Sequence, residues 1–284
     1  MSSSGSAGSL VRLAIRVDRD HAELVLAELV SLVPGGVEEV DVSDAVVEYA
    51  VYGVPGELPS LPDLRAAAGG ALVDVSTSSI AGDWATRWRE FHRPLVLGDR
   101  LTVRPPWEPP ASTPLDVVID PGQAFGTGAH ATTRMCLELL LGEADGAGGL
   151  GSCVDLGCGS GVLAICAALL GFSLVVALDV DPAAVSACVA NAAANGVSID
   201  VRRFDLRSEQ APFADLVVAN VLAPPLLAWA GLQERLPPRL VLSGLLAGSE
   251  VDRVASAYVA RGMVVSELRD DGEWAALLLT RRAA

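Results

Sequence analysis

The sequence predicts an α/β protein in two parts: a doubly wound, mostly parallel sheet over residues 116–284, and a small ferredoxin-like α+β domain over residues 10–80. After Asp116, nearly continuous apolar strands alternate with helical stretches, which is typical of a parallel sheet buried on both faces. Before residue 80, shorter segments follow the order βαββαβ. The length of 284 residues suits one large domain and a small companion.

The elements of the amino-terminal part follow from apolar periodicity and turn residues. Asp18 or Asp20 can cap a first helix, which ends before Pro34. Strands are predicted over residues 10–17, 37–42, 45–52 and 71–76, and a second helix over residues 61–68. Residues 1–9 are rich in Ser and Gly, so we expect a disordered tail there.

Residues 81–115 are predicted to connect the two parts. The aromatic stretch over residues 84–92 has helical spacing and leads into connecting strands over residues 95–104 and a proline-rich stretch. Beyond it, buried parallel strands are expected over residues 152–156, 174–178 and 216–219. Residues 262–268 and 274–280, joined by residues 269–273, predict an antiparallel hairpin at the end of the sheet.

Composition narrows the classes of function. A formal charge of -15 argues against a protein that binds nucleic acid through phosphate neutralisation, and residues 1–80 alone carry a net charge of -8. A basic partner fits this charge better, although simple solubility explains it equally well. No apolar run approaches the ~18 residues of a membrane span. We therefore expect no membrane association and no direct dependence on nucleic acid.

Cysteine and histidine are sparse and unpatterned. The five cysteines lack a paired CxxC spacing and lie in apolar or small-residue surroundings, so we expect reduced, buried thiols in a cytoplasmic protein. The three histidines are far apart and none lies near a cysteine at ligand spacing. We therefore expect no metal site. We also expect the protein to be a monomer in the cytoplasm.

A glycine turn provides the main chemical signal. The strand ending at Leu156 runs into Gly157-Cys158-Gly159-Ser160-Gly161, and a helix follows over residues 162–170. Such a turn lets backbone N–H groups approach a ligand closely, because a β-carbon would block the approach. The ligand is either a dinucleotide or S-adenosylmethionine. The third glycine comes one residue earlier than in the dinucleotide pattern, which favours S-adenosylmethionine.

Two polar residues follow later strands of the predicted sheet. Asp179 ends the next strand, where a carboxylate can accept hydrogen bonds from both ribose hydroxyls of an adenosine ligand. Asp181 precedes Pro182 and is explained more simply as a helix cap. Asn220 lies at the carboxyl edge of a further strand and could orient the donor or the acceptor amine, although Asn is also common in turns. Asp205 either approaches the adenine or is a surface acid.

A second glycine-rich loop covers residues 120–133 and precedes a helix. Its glycines permit a tight fold, Phe125 could cover the cofactor, and Thr132 or Thr133 could supply a hydroxyl at the helix start. Capping alone would explain both threonines.

Taken together, DPGQAFGTGAHATT, VDLGCGSGVLAI, LDVDP and ANVLA resemble, in this order and spacing, the methyltransferases that modify ribosomal protein eleven of the large subunit. The resemblance implies a class I methyltransferase fold that binds S-adenosyl-L-methionine. The family's cofactor positions fall on Thr133, Gly157, Asp179 and Asn220, and Gly159 and Thr127 are plausible additions. Ala129 and Ala131 depart from the usual GTGTHPTT loop without removing a polar group.

The resemblance also implies an activity: transfer of methyl groups to lysine side chains and the terminal amine of a small basic ribosomal protein, either free or on the ribosome. We expect in-line displacement, for which the protein supplies alignment and exclusion of water. Asn220 is the candidate catalytic residue, and a base could lie in the loop over residues 127–130.

Three alternatives remain open on the sequence. The first is a glutamine or small-molecule methyltransferase, which the segment Asn220-Val221-Leu222-Ala223 disfavours because it lacks an NPPY-type motif. The second is a nicotinamide dehydrogenase, which the glycine spacing disfavours. The third is a non-enzymatic module that senses a nucleotide or binds the ribosome.

Overall fold

The computed structural model divides the chain into two compact units, Met1–Phe91 and His92–Ala284. It describes residues 11–22, 25, 26, 29, 37–43, 45–53, 64, 65, 68–79, 93–120, 130–146 and 150–281. The predicted tail over residues 1–9, the predicted helix over residues 84–92 and the loop over residues 121–129 lie outside the described residues.

The first unit is an antiparallel sheet whose strands are β1 (Val11–Asp18), β2 (Glu38–Ser43), β3 (Val46–Gly53) and β4 (Leu72–Ser79). Their order across the sheet is β2-β3-β1-β4, and every pair is antiparallel. Helical residues lie between β1 and β2, at Ala22, Val25, Leu26 and Leu29, and between β3 and β4, at Leu64, Arg65 and Ala68. This arrangement confirms the predicted ferredoxin-like α+β order.

Successive side chains of β1 point to opposite faces of this sheet, and each face is stabilised in a different way. Leu13, Ile15 and Val17 point to one face of β1 and form a buried core with β3 and the helical residues. On the other face, Arg12 and Arg16 bind the two carboxylate oxygens of Glu48, each at 2.7 Å. The Arg12 guanidinium, and then that of Arg16, holds the pKa of Glu48 below its ordinary value despite burial. Glu48 therefore stays ionised in the fold.

Among its described residues, the second unit has a sheet of seven strands and five helices. Its strands are β8 (Ser152–Leu156), β9 (Leu174–Asp179), β10 (Asp200–Arg203), β11 (Leu216–Asn220), β12 (Arg239–Leu246), β13 (Met263–Asp271) and β14 (Trp274–Arg281). The helices are α1 (Ala131–Asp145), α2 (Val162–Leu170), α3 (Pro182–Ala194), α4 (Ala223–Leu232) and α5 (Ser249–Val259).

The strand order of this sheet is β10-β9-β8-β11-β12-β14-β13. The first five strands are parallel, and β14 pairs antiparallel with both β12 and β13. Strand β13 extends to Asp271, three residues beyond its predicted end, so the turn shortens to Gly272-Glu273. The predicted doubly wound sheet and its antiparallel hairpin are confirmed.

Both faces of the parallel strands are buried, as their apolar sequences predict. Alternate residues of β8 belong to different cores: Cys153 packs with α1 and α2, whereas Val154 and Leu156 pack on the side of α4 and α5. The carboxyl ends of β8, β9 and β11 therefore lie at one edge of a sheet whose two faces are both covered by helices. No described helix is long and apolar enough to cross a membrane.

A small sheet precedes α1 in the second unit. Its strands are β5 (Leu95–Leu97), β6 (Leu101–Arg104) and β7 (Leu115–Val118), and β6 pairs parallel with β7. Arg104 donates two hydrogen bonds to the Asp116 carboxylate, at 2.6 and 2.8 Å. The predicted division between residues 115 and 116 therefore falls inside β7, because the connecting strands pair with it.

Candidate cofactor and active site

The candidate site lies at the carboxyl edge of the parallel sheet. Gly157 follows β8, Asp179 ends β9 and Asn220 ends β11, and β8 is hydrogen-bonded to both of the other strands. Parallel strands bring their carboxyl ends to one edge, so residues that are far apart in sequence meet there.

The glycine turn depends on backbone conformations that favour glycine. Gly157, Gly159 and Gly161 have φ angles of 71°, 52° and 84°, in the left-handed region. The N–H groups of Gly157 and Cys158 both donate to the carbonyl of Leu178, at 2.7 and 3.1 Å. The turn is therefore fixed to the neighbouring strand β9.

Asp179 fixes the other side of the turn. One carboxylate oxygen accepts the N–H of Gly159 at 2.9 Å, and the other accepts the N–H of Asp181 at 3.0 Å. A carboxylate offers about four lone-pair sites, so two further hydrogen bonds can still form. Asp181 itself caps α3 by accepting the N–H of Ala183 at 2.8 Å, which confirms its interpretation as a cap.

A second carboxylate lies beneath the turn, and sequence reasoning missed it. Asp155 in β8 is fully buried; its Oδ2 accepts the N–H of Ala164 in the first turn of α2, and its Oδ1 has no partner among the described residues. The pKa of Asp155 is raised to about 7, chiefly by burial; the hydrogen bond from Ala164 opposes this rise and the charge of Asp179 adds to it. The signal in the sequence that could have revealed Asp155 is the presence of an acidic residue within an apolar strand.

Asn220 and Thr133, which are 87 residues apart, meet at this edge. The side-chain amide of Asn220 donates to the hydroxyl of Thr133 at 3.2 Å. Thr133 is fully buried in the first turn of α1. This contact engages one of the two N–H groups of the Asn220 amide, so the second N–H and the carbonyl oxygen are left to meet a ligand.

The start of α1 differs from the expectation that a threonine caps it. His130 is the capping residue, and its Nδ1 accepts the N–H of Thr132 at 3.4 Å. The helix begins at Ala131, so Thr132 and Thr133 already lie inside its first turn. Burial lowers the pKa of His130, which favours the neutral ring that this cap requires. The ring also packs edge-on against Trp274 of β14, with centroids 5.1 Å apart.

Two glycines enclose the residue that follows Asn220. A β-carbon on Gly157 would lie 2.2 Å from Val221 Cγ1, and one on Gly244 would lie 2.6 Å from the Val221 carbonyl oxygen. Gly244 also has a φ of 81° and interrupts the pairing of β12 with β14. Sequence reasoning missed Gly244, although a glycine inside a strand is a known sign of close backbone approach.

Two asparagines of α3 and its carboxyl end hold the chain where it enters the second glycine-rich loop. Asn195 accepts the N–H of Val118 at 2.8 Å and donates to its carbonyl at 2.6 Å. Asn191 accepts the N–H of Asp120 at 3.0 Å and donates to the carbonyl of Ser160. These contacts place the start of the loop beside the glycine turn. Phe125 and Thr127 of that loop lie outside the described residues.

The remaining sequence candidates have structural explanations. Asp205 accepts hydrogen bonds from the Arg207 N–H and the Ser208 hydroxyl, so it shapes a local turn. All five cysteines are buried and unbridged. Within the described ranges, no three His, Cys, Asp or Glu side chains gather as metal ligands do.

The chain matches the family model described as ribosomal protein L11 methyltransferase (PrmA) over residues 65–282. A relative of that name from Geobacter metallireducens is 42% identical over 203 residues, which are 69% of this chain and 65% of the relative. Another from Geobacter sulfurreducens is 40% identical over 227 residues, which are 77% of this chain and 73% of the relative.

A solved structure gives the same result. The ribosomal protein L11 methylase of Lactobacillus delbrueckii subsp. bulgaricus is 27% identical to this chain, with a TM-score of 0.59. The match covers 67% of this chain and 99% of that one.

Replacement of Gly244 by alanine tests the enclosure of Val221. We expect Gly244→Ala to lower the free energy of unfolding by about 2–4 kcal/mol, because a strained φ and a backbone clash add together. Gly196→Ala is the matched control: Gly196 has a φ of 66° but nothing within 4 Å of an added β-carbon, so only about 1–2 kcal/mol of strain is expected. Urea unfolding measures both, and equal losses would contradict the enclosure.

The pH dependence of stability tests Asp155. Its folded pKa of about 7 lies above its ordinary 3.8, so the folded state keeps a proton that the unfolded state has lost. Stability from this group is complete below about pH 4 and is lost as the pH rises through 7. Relative to Asp155→Asn, the wild type should lose up to about 4 kcal/mol between those limits.

Denaturant unfolding at pH 4 to 8 measures this difference. Asp271→Asn, at an exposed position, is the control: it keeps Asp155, so its stability should fall with pH in parallel with that of the wild type. A wild-type curve parallel to that of Asp155→Asn would show that Asp155 does not carry the proton.

Proposed function

We propose, from the premise that this chain belongs to the ribosomal protein L11 methyltransferase family, that it transfers methyl groups from S-adenosyl-L-methionine to lysine side-chain and terminal amines of ribosomal protein L11. The observation that carries the proposal is the carboxyl edge of the sheet, where the glycine turn, Asp179 and the Asn220–Thr133 pair meet.

The charges of this edge fit the proposed donor, which supplies an electrophilic methyl group on a positively charged sulfonium. Asp155 and Asp179 interact electrostatically, and the described residues form no ion pair with either. A cationic ligand relieves this excess of negative charge. A carboxylate at the position of Asp179 would also suit the ribose of a dinucleotide, so the spacing of the glycines is what disfavours a dehydrogenase.

Each residue then has a specific role. Asp179 uses its remaining lone pairs to accept the ribose hydroxyls, and the left-handed turn at Gly157 and Gly159 lets backbone approach the donor without a β-carbon. Thr133 orients the Asn220 amide. Thr127, which the resemblance adds to this set, is proposed on the sequence alone.

Methyl transfer requires a neutral amine with its lone pair aligned on the methyl group. The Asn220 carbonyl oxygen can accept an amine N–H and so turn the lone pair towards the donor. The ordinary pKa of a lysine amine is about 10.4, so its proton must leave first. His130 Nδ1 already accepts a helix N–H and does not serve as that base, so we propose that the proton passes to water as the amine enters the site.

The first unit is proposed to bind the basic substrate. Its residues 1–80 carry a net charge of -8, and Glu38, Glu39 and Asp74 are exposed on its described strands. Ribosomal proteins are basic because they bind RNA, so charge complementarity favours this partner. We propose that the enzyme acts as a monomer in the cytoplasm, on free L11 or on the ribosome, without direct nucleic-acid contacts.

Release of S-adenosylhomocysteine in the presence of purified L11 tests the activity. Mass spectrometry of the L11 product should show added methyl groups on lysine and terminal amines. Donor binding without any methylated product would favour the non-enzymatic alternative. Methylation of glutamine or of small molecules alone would favour the other methyltransferase class.

Replacement of Asp179 by asparagine tests the ribose contact. We expect Asp179→Asn to weaken donor binding by about 10- to 100-fold, because hydrogen bonds to a charged acceptor contribute about 1.5–3 kcal/mol. Asp181→Asn, two residues later, keeps a capping side chain and should leave donor affinity unchanged. Titration calorimetry measures both. Equal affinity in the two variants would place the ribose elsewhere.

Neutralising the first unit tests substrate docking in the full chain. The triple variant Glu38→Gln, Glu39→Gln, Asp74→Asn should raise the KM for L11 about 5- to 50-fold at low salt, with kcat unchanged, because rim charges steer association. Its matched control changes three exposed acids of the second unit: Asp252→Asn, Asp270→Asn and Asp271→Asn. An equal rise in KM in the control would assign the effect to net charge.

A further inference from the structure

The side-chain amide of Asn191 joins two segments that are distant in sequence. Its carbonyl oxygen accepts the N–H of Asp120 at 3.0 Å, and its nitrogen donates to the carbonyl of Ser160 at 2.9 Å. The side chain is 3% exposed, so water does not compete readily for either hydrogen bond. One buried side chain of α3 therefore links the segment that follows β7 to the glycine turn.

Asn195 makes a similar contact one helical turn further along. Its amide accepts the N–H of Val118 and donates to the Val118 carbonyl, as a neighbouring strand would. Four residues of an α-helix rise about 6 Å, and two residues of an extended strand span about 6.6 Å. The two asparagines therefore match successive hydrogen-bonding positions of one segment, at Val118 and Asp120. Among the described residues, none of the hydrogen bonds of Asn195 goes to the glycine turn.

The glycine turn packs directly on α3. A β-carbon on Gly161 would lie 2.5 Å from Cys188 Sγ and 3.2 Å from Cys188 Cα. Cys188 and Asn191 are three residues apart, so they lie on the same face of the helix. The peptide between Ser160 and Gly161 is therefore held by α3 twice, through close packing at Gly161 and through the hydrogen bond to the Ser160 carbonyl.

The turn is thus fixed from two sides. On the side of β9, the Leu178 carbonyl accepts the N–H of Gly157, and the Asp179 carboxylate accepts the N–H of Gly159. On the side of α3, Asn191 holds the turn. A backbone that is already held in one geometry loses less freedom when a ligand binds, so these contacts favour binding.

We propose that Asn191 is a positioning residue for the methyl donor, which couples the glycine turn to the segment at Asp120. This inference rests on the donor site of the proposed function. The side chain is buried, so it acts through the Ser160 carbonyl and the Asp120 N–H rather than by contact with the donor. Donor binding at the turn and the position of Asp120 therefore stabilise each other.

Replacement of Asn191 by aspartate in the full chain tests the turn contact. Asn191→Asp keeps an oxygen for the Asp120 N–H but places a second oxygen against the Ser160 carbonyl. S-adenosylhomocysteine should bind about tenfold more weakly in titration calorimetry, because a hydrogen bond is replaced by a repulsion. Asn195→Asp is the matched control: it removes the same kind of donor at the end of the same helix, but it leaves the turn contacts intact. Its affinity should stay within about twofold of the wild type.

Hydrogen exchange of the wild type tests the coupling without a variant. Saturation with S-adenosylhomocysteine should slow exchange of the Asp120 N–H at least about fivefold, because the Asn191 amide that accepts it is bound to the turn. The Val118 N–H, which Asn195 holds independently of the turn, should change by less than about twofold. NMR of the ¹⁵N-labelled full chain measures both amides.

Two results would overturn the proposal: equal donor affinities in Asn191→Asp and Asn195→Asp, or equal slowing of exchange at Asp120 and Val118. If Asn191→Asp does not fold, the exchange measurement on the wild type decides alone. Both measurements use S-adenosylhomocysteine without L11, so they do not depend on the proposed substrate. Failure of that substrate would appear separately, as absent methylation of L11 beside an unchanged contrast between the two asparagines.

Discussion

Gly157 and Gly244 belong to the segments on either side of β11, and Val221 lies between them with no room for a β-carbon on either glycine. Asn220 precedes Val221 directly, so this close packing determines where its amide points. The amide then reaches Thr133 on α1. Close packing thereby gives one geometry to four segments that are distant in sequence: those of Thr133, Gly157, Asn220 and Gly244.

The two acids at the carboxyl edge of the parallel sheet, Asp155 and Asp179, also hold the backbone in place. The Asp179 carboxylate accepts two hydrogen bonds that hold the turn. One oxygen of Asp155 accepts a hydrogen bond from the first turn of α2. Both acids thus have a structural role that fixes their position, and both retain acceptor capacity. Placing a buried carboxylate whose pKa is about 7 beneath the turn costs stability at neutral pH. Sites that bind cations commonly carry such a cost, since the ligand compensates for it.

The sequence predicts most of this architecture because its signals are local. Apolar runs bounded by turns predict the parallel strands, and Asp181-Pro182 predicts a helix start. Signals that depend on tertiary contacts were not readable in the same way. His130 rather than a threonine caps α1, and its ring packs against Trp274 of a distant strand. The importance of Gly244 is visible only when its neighbour Val221 is known.

Strand β14 is inserted between β12 and β13, although it is the last described strand to be synthesised. Its first residue, Trp274, packs against the residue that caps the first helix of the second unit. During translation, β13 therefore has no partner in the sheet until residues 274–281 have emerged and paired with both β12 and β13. The sheet of the second unit therefore stays incomplete until residues 274–281 have been synthesised.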